Sequence, residues 1–236
     1  MKKIEKGGEL LWLLGVIFVA LGVAICSKAD LGVSMIAAPA FIVNEYVSEF
    51  FPQSTVGMME YLIQGLMLVL LCILVRKFTW KYLMSFAVAV IYGYTLDLFL
   101  LILNRVSAGS LLSQWILLLI GDAVTAFGVA CFFRTYLPLQ VYELFVAELS
   151  SCKKLDIIRT KRWFDITLLL VSVALALVLF GDVRNISLTN SFHSLGPGTI
   201  VTTIINSILI RYSGKFIDRF FGSGHAFPSL YEALKR

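Results

Sequence analysis

The stretch GVIFVALGVAICSKADL, residues 15–31, is echoed by GDAVTAFGVACFFRTYL, residues 121–137, and the two stretches align without a gap. A cation follows each apolar run, Lys28 in the first and Arg134 in the second. The identical pairs are Gly15/Gly121, Ala20/Ala126, Gly22/Gly128, Val23/Val129, Ala24/Ala130 and Leu31/Leu137. This repetition indicates an internal duplication, and duplicated membrane units are typical of transporters.

The composition places the chain in lipid. Apolar residues make up 59% of the 236 residues, charged residues only 15%, and the mean hydropathy is +0.88. A soluble domain carries about 25% charged residues, so these values favour a membrane protein. The Lys-rich start of the chain resembles a signal peptide, but its apolar run is long, and we interpret it as a retained helix.

Uncharged apolar runs predict an all-α, polytopic membrane protein with six transmembrane helices. The predicted spans cover residues 10–27, 55–75, 82–104, 111–133, 164–181 and 199–212, and the last one could begin as early as residue 191.

The basic residues orient these spans. With the N-terminus in the cytoplasm, 17 of the 20 Lys and Arg residues fall on the cytoplasmic side and three fall outside. The cytoplasmic set is Lys2, Lys3, Lys6, Arg76, Lys77, Lys81, Arg134, Lys153, Lys154, Arg159, Lys161, Arg162, Arg211, Lys215, Arg219, Lys235 and Arg236; the outer set is Lys28, Arg105 and Arg184. This bias follows the positive-inside rule and predicts cytoplasmic N- and C-termini. It also accounts for the net charge of +5, so nucleic-acid binding is not expected.

Two further apolar segments, residues 31–51 and 137–152, would reverse this orientation if they crossed the membrane. We therefore predict that both enter without crossing, either as re-entrant segments or as interfacial helices. Each half then has three crossings, an odd number, which makes the predicted fold a 3+3 inverted repeat. The expected units are residues 1–105, residues 106–221 and a cytoplasmic tail at 222–236.

Several short motifs are similar to those of a bacterial membrane protein group. They are Lys28-Ala29-Asp30-Leu31-Gly32-Val33-Ser34, Gly57, Tyr92-Gly93 with Asp97, and Gly196-Pro197-Gly198-Thr199. Together they resemble the YczE/YyaS/YitT group over nearly the whole chain. The resemblance implies a bacterial inner-membrane location and no particular chemistry, because that group is largely uncharacterised. The second half replaces Gly32 with Pro138, so a shared role of the two turns does not follow.

Ionisable groups inside apolar spans mark candidate functional positions, because each one costs about 2.5–3.5 kcal/mol to insert. Asp122 lies deepest, eleven residues into an uncharged run, and either packs against a neighbouring helix or binds substrate or a proton. Glu60 and Gln64 share one face of the second span, although Glu60 could also lie among headgroups. Asp97 lies deeper in the third span than a surface anchor requires.

Uncharged polar residues in the sixth span, Thr203 and Asn206, could line a cavity or bond to their own helix. The predicted substrate or proton pathway therefore contains Asp122, Glu60, Gln64, Asp97, Asn206 and Thr203.

The cations at the span ends have two interpretations. Lys28 and Arg134 either extend towards the membrane surface or anchor the turns into the short segments by fixing an acid such as Asp30 or Glu143. The predicted turn anchors are Lys28, Asp30 and Arg134. The four cysteines form no metal-binding or redox pattern, so neither a metal nor a cofactor is expected.

Three classes of function compete. The inverted repeat favours a small-solute transporter or permease with its site between the halves. A membrane-embedded binding or accessory subunit that requires a partner is the alternative, and the sequence is also compatible with a homo-oligomer. An intramembrane aspartyl hydrolase using Asp97 and Asp122 is the remote alternative, because the surrounding motif departs from that of such proteases. We therefore expect the lipid bilayer and an unidentified small molecule as partners, and no enzymatic activity.

Overall fold

The structure is a computed structural model that describes residues 8–76, 78–180 and 194–220. In these ranges the chain forms eight α-helices, one short 3-10 turn at Leu103–Arg105, and no strand. The helices are α1 (Gly8–Ser27), α2 (Ala38–Ser48), α3 (Val56–Val75), α4 (Trp80–Ile102), α5 (Leu111–Phe132), α6 (Val141–Lys153), α7 (Ile157–Phe180) and α8 (Pro197–Phe220). The predictions for the extreme N-terminus, the tail at 222–236 and a start of the last span at residue 191 lie outside the described residues.

Five of these helices, α1, α3, α4, α5 and α7, are long and apolar enough to cross a membrane. The prediction of an all-helical, multi-pass membrane protein is therefore confirmed for the described part of the chain. The sixth predicted span differs: α8 has 24 residues, longer than the predicted 199–212, but it is not among the five. Its buried face carries Thr199, Thr202, Thr203, Asn206 and Ser207, which lower its hydropathy.

Each half of the chain has the same order of elements, a long helix, a short helix and two long helices. The short helices α2 and α6 fall within the two segments that we expected not to cross the membrane. Each of them contacts both halves, since α2 packs against α3 and α7, and α6 also packs against α3 and α7. The halves are therefore interlocked rather than side by side.

The largest interface joins α1 to α5 at the repeated stretch. A Cβ atom added to Gly22 would lie 2.5 Å from the Thr125 backbone nitrogen and 2.6 Å from the Gly121 carbonyl oxygen. One added to Gly128 would lie 2.7 Å from the Val19 nitrogen. Small residues allow such backbone contact, which drives helix association in lipid.

These contacts also define the relative direction of α1 and α5. Gly15, near the start of α1, lies against Phe132 at the end of α5, and Cys26, near the end of α1, lies against Gly121. The two helices are therefore antiparallel.

The turn after α1 is attached to the start of α8. The Gly198 N–H donates to the Leu31 carbonyl at 2.9 Å, and the Thr199 hydroxyl donates to the Val33 carbonyl at 2.8 Å. Gly32 has φ of 94°, a left-handed conformation that favours glycine. Two of the motifs quoted above, far apart in sequence, thus form one connection between the halves.

The helix crossing makes a direct prediction for Gly22. Replacing it with alanine places a methyl group on the α5 backbone, which should destabilise the fold by about 1–3 kcal/mol, as overpacking does. The melting temperature of the detergent-solubilised protein should fall. Gly109→Ala is the control, because nothing lies within 4 Å of a Cβ atom there. Equal melting temperatures for the two variants would contradict the proposed role of the crossing.

Candidate functional site

Four carboxylates are completely buried among the apolar helices. Glu60 belongs to α3, Asp122 to α5, Glu143 to α6 and Asp165 to α7, and each has an exposed fraction of 0%. Electrostatic interactions connect them: Glu143 interacts with Glu60 and with Asp165, and Asp165 interacts with Asp122. We call these four residues the carboxylate cluster.

Glu60 connects α3 to α6. Its Oε2 atom accepts hydrogen bonds from the Gln64 amide at 3.3 Å and from the Tyr142 hydroxyl at 3.2 Å. Gln64 follows Glu60 by one helical turn, which places both side chains on one face of α3. The start of α6 therefore reaches a polar group of the first half.

Lys161 is the buried cation of the described residues. Its ammonium lies 2.6 Å from Asp165 Oδ1, and both side chains have an exposed fraction of 0%. The same ammonium interacts electrostatically with Asp122 and Glu143. Asn206 from α8 adjoins Asp165. One cation thus interacts with three of the four carboxylates, so full ionisation would leave a large uncompensated charge in a medium of low dielectric constant.

Most carboxylate oxygens of the cluster lack a donor within the described part of the chain. The atoms without a hydrogen-bond partner are Glu60 Oε1, both oxygens of Asp122, both oxygens of Glu143, and Asp165 Oδ2. The amide oxygens of Gln64 and Asn206 are also buried and unpartnered. All of these atoms are acceptors, so the site can take up protons, a cation or a molecule with N–H or O–H donors.

Glu143 differs from the other three residues of the carboxylate cluster because it belongs to the short helix α6 and not to one of the five candidate spans. Burial raises the pKa of its carboxyl group to about 7, against the opposing effect of the Lys161 ammonium.

The structure brings together four of the six residues that the sequence predicted for the pathway: Glu60, Gln64, Asp122 and Asn206. Their functional role stays a prediction, but their proximity was not evident from the sequence.

The other two pathway residues have local structural partners. Asp97 Oδ1 accepts the Gly57 N–H at 2.8 Å, which satisfies a backbone donor at the start of α3. The Thr203 hydroxyl donates to the Thr199 carbonyl of its own helix at 2.7 Å. Asp97 and Asp122, the pair required by the hydrolase alternative, therefore have different neighbours.

Among the predicted turn anchors, Arg134 pairs with a different acid from the one expected. Arg134 forms a bidentate ion pair with Asp218 at 2.6 and 2.8 Å, and Gly214 leaves room for its guanidinium. The arginine thus attaches α5 to the end of α8 and does not fix Glu143, which belongs to the carboxylate cluster. Asp30 has a left-handed φ of 55° in the turn after α1, and Lys28 is half-buried there.

Sequence reasoning missed Lys161, Asp165, Tyr142 and Glu143 as site residues. Lys161 was assigned to a basic cytoplasmic loop, but α7 begins at Ile157 and the lysine is buried one turn later. The i, i+4 spacing of Lys161 and Asp165 is a signal that could have identified the pair.

One family model matches most of the chain. A model of a family of unknown function, DUF6198, matches residues 7–215, and the chain belongs to that family. No curated protein and no solved structure matches the chain. The match agrees with the expectation of an uncharacterised family, and the assignment to the YczE/YyaS/YitT group stays a prediction.

The buried ion pair makes a stability prediction. Lys161→Met leaves Asp165 without its counter-ion and should cost about 3–5 kcal/mol, because a buried charge loses its partner. The melting temperature in detergent should fall clearly. Lys161→Met combined with Asp165→Leu removes both charges and should recover part of the loss. Lys154→Met, at an exposed cation, is the control, and a Lys161→Met variant as stable as this control would refute the structural role of the pair.

Proposed function

We propose that this chain is a transporter of a small solute and that the carboxylate cluster is its binding site. The observation that carries the proposal is a set of buried acceptors without donors, gathered around the single buried cation of the described residues. Buried ionisable groups in a membrane protein normally line a pathway for a substrate, an ion or a proton. The cluster joins α3 of the first half to α5, α6 and α7 of the second.

The proposal includes an inverted repeat. Its support is the symmetry of the α1–α5 contacts: Gly15 faces Phe132 while Gly121 faces Cys26. Because residue 15 aligns with 121 and residue 26 with 132, these are the same contact with the halves exchanged. The antiparallel crossing agrees with this symmetry, and so do the contacts of α2 with α7 and of α6 with α3. Inverted repeats with a site between them are typical of secondary transporters.

The proposed orientation places the N-terminus and the C-terminus in the cytoplasm of a bacterium, with the protein in the inner membrane. Lys161 is buried and no longer counts as a loop residue, but the cytoplasmic excess of basic residues remains large. In this orientation α2 enters from the outer face and α6 from the inner face, and neither crosses. Residues 31–40 are all buried, as a re-entrant segment requires.

The proposed mechanism is alternating access, in which occupancy of the cluster controls its net charge. A cation or protons that enter from one side neutralise the carboxylates, and only the neutralised cluster can move between two packings without exposing charge to lipid. Lys161 supplies a fixed fraction of the compensation. Both proton coupling and a positively charged solute agree with the acceptor-rich chemistry.

The proposed orientation can be tested with single cysteines. Phe50, which is 64% exposed after α2, is changed to cysteine in a Cys72→Ala, Cys152→Ser background. A separate Cys72→Ala variant keeps native Cys152, exposed at the end of α6, as the second probe. Cys26 and Cys131 are buried and should not react. An impermeant maleimide added to intact cells should label residue 50 and leave Cys152 unlabelled until the membrane is permeabilised. Labelling of both positions from the same side would refute the inverted arrangement.

The transport proposal can be tested in proteoliposomes by recording charge movement with a panel of amines, inorganic cations and proton gradients. Asp122→Asn and Glu60→Gln should each reduce the current by about tenfold, a change of about 1.4 kcal/mol. Glu49→Gln, an isosteric change at an exposed carboxylate, should leave it unchanged.

Two outcomes would contradict this prediction. If Asp122→Asn and Glu60→Gln together left the current unchanged, the cluster would not be the transport site. If a solute bound to the cluster and no current arose, the protein would instead be a substrate-binding subunit that requires a partner.

A further inference from the structure

A second feature lies next to the carboxylate cluster, an apolar groove of about 990 Å³ between α3 and α7. Its lining includes Ile63 and Met67 from α3 and Leu168 and Val171 from α7, and α2 and α6 contribute its other sides. Large apolar side chains on the outer faces of α3 and α7 are exposed, as helices facing lipid would be. We call this cavity the lateral groove.

The side chain of Phe164 lies between the lateral groove and the cluster. It lines the groove, and its ring centroid is 6.2 Å from that of Tyr142, the residue that donates to Glu60. On the same side the Lys161 ammonium is 5.5 Å from the Phe164 ring centroid. A rotation of this one ring would therefore connect an apolar cavity to a set of buried acceptors.

The position of Lys161 indicates what such a connection would admit. Its ammonium already occupies the place between the Phe164 ring and the Asp165 carboxylate, so it compensates one carboxylate and leaves the other three for a cation that enters. The amide oxygens of Gln64 and Asn206, both almost completely buried, are also unpartnered among the described residues and require a donor or a cation.

We infer that the site takes an amphiphilic cation, whose apolar part occupies the lateral groove and whose charged group passes Phe164 to reach the carboxylate cluster. This inference rests on the proposed function and names its class of substrate. Lateral entry explains why an apolar groove lies directly beside the acidic site. The cation compensates one of the carboxylates that Lys161 leaves uncompensated, and protons on the others would remove the remaining charge.

An anionic phospholipid is the competing occupant of the groove. Lys154 and Arg159 line one end of it and could bind a phosphate, although Asp156 lies beside them. The two occupants require opposite charges at different places, and a binding experiment can therefore separate them.

The test uses the purified full-length protein in a neutral detergent with tetraphenylphosphonium as the probe. Tetraphenylborate is the matched control, since it has the same shape and the opposite charge. Equilibrium dialysis should show binding of the cation with an affinity at least about tenfold above that of the anion. The cation should also raise the melting temperature of the wild-type protein.

Variants locate the binding. Glu143→Gln and Glu60→Gln should each weaken binding of the cation by about tenfold. Val171→Trp should weaken it by filling the groove. A Lys154→Ala, Arg159→Ala double variant removes two cations from one end of the groove and should not weaken it. Glu49→Gln, at an exposed carboxylate outside the groove, should leave it unchanged. Each variant is compared at a temperature well below its own measured melting temperature.

Equal binding of both probes would overturn the inference. Binding of tetraphenylborate that is lost only in the Lys154→Ala, Arg159→Ala variant would also overturn it and would favour a lipid site. Currents carried by another solute without binding of tetraphenylphosphonium would refute the substrate class and leave the transport proposal standing. Binding without any current would support the substrate class and contradict transport.

Discussion

The contact between α1 and α5 is the constraint on which the rest of the structure depends. In lipid no hydrophobic effect holds apolar helices together, so their association relies on close packing and on buried polar contacts. Glycines at Gly22, Gly121 and Gly128 remove the side chains that would separate the two backbones. Since α4 packs against α1 and α8 packs against α5, the crossing sets the positions of these two helices, and α3 and α7 in turn pack against α4 and α8.

The carboxylate cluster has the opposite effect on the stability of the fold. Burying Glu60, Asp122, Glu143 and Asp165 costs free energy, and only two of their eight carboxylate oxygens have donors in the described part of the chain. Stability alone would favour apolar residues of similar volume at these positions. An arrangement that opposes stability in this way indicates a function, and an exchange of protons or cations is the function that such chemistry suits.

Much of the architecture was predictable from the sequence. Long uncharged runs identified α1, α3, α4, α5 and α7, because a membrane span needs about twenty apolar residues and few other elements do. The charge distribution located α2 and α6 as separate short segments. The end points were less accurate where polar residues belong to a helix: α7 begins at Ile157 and includes Lys161, and α8 extends to Phe220 with its buried row of hydroxyls.

The site was predictable only in part. Asp122, Glu60, Gln64 and Asn206 were recognisable individually, because a polar group inside an apolar run is costly wherever the helix lies. That Asp97 would bond to Gly57, that Arg134 would pair with Asp218, and that Lys161 would be buried beside Asp165 depended on which helices became neighbours. The sequence by itself determined the class of protein and most of the helical segments, since these depend on local hydropathy. Only the tertiary structure decided which charges meet, because the partner of a buried charge is set by the packing of helices far apart in the chain.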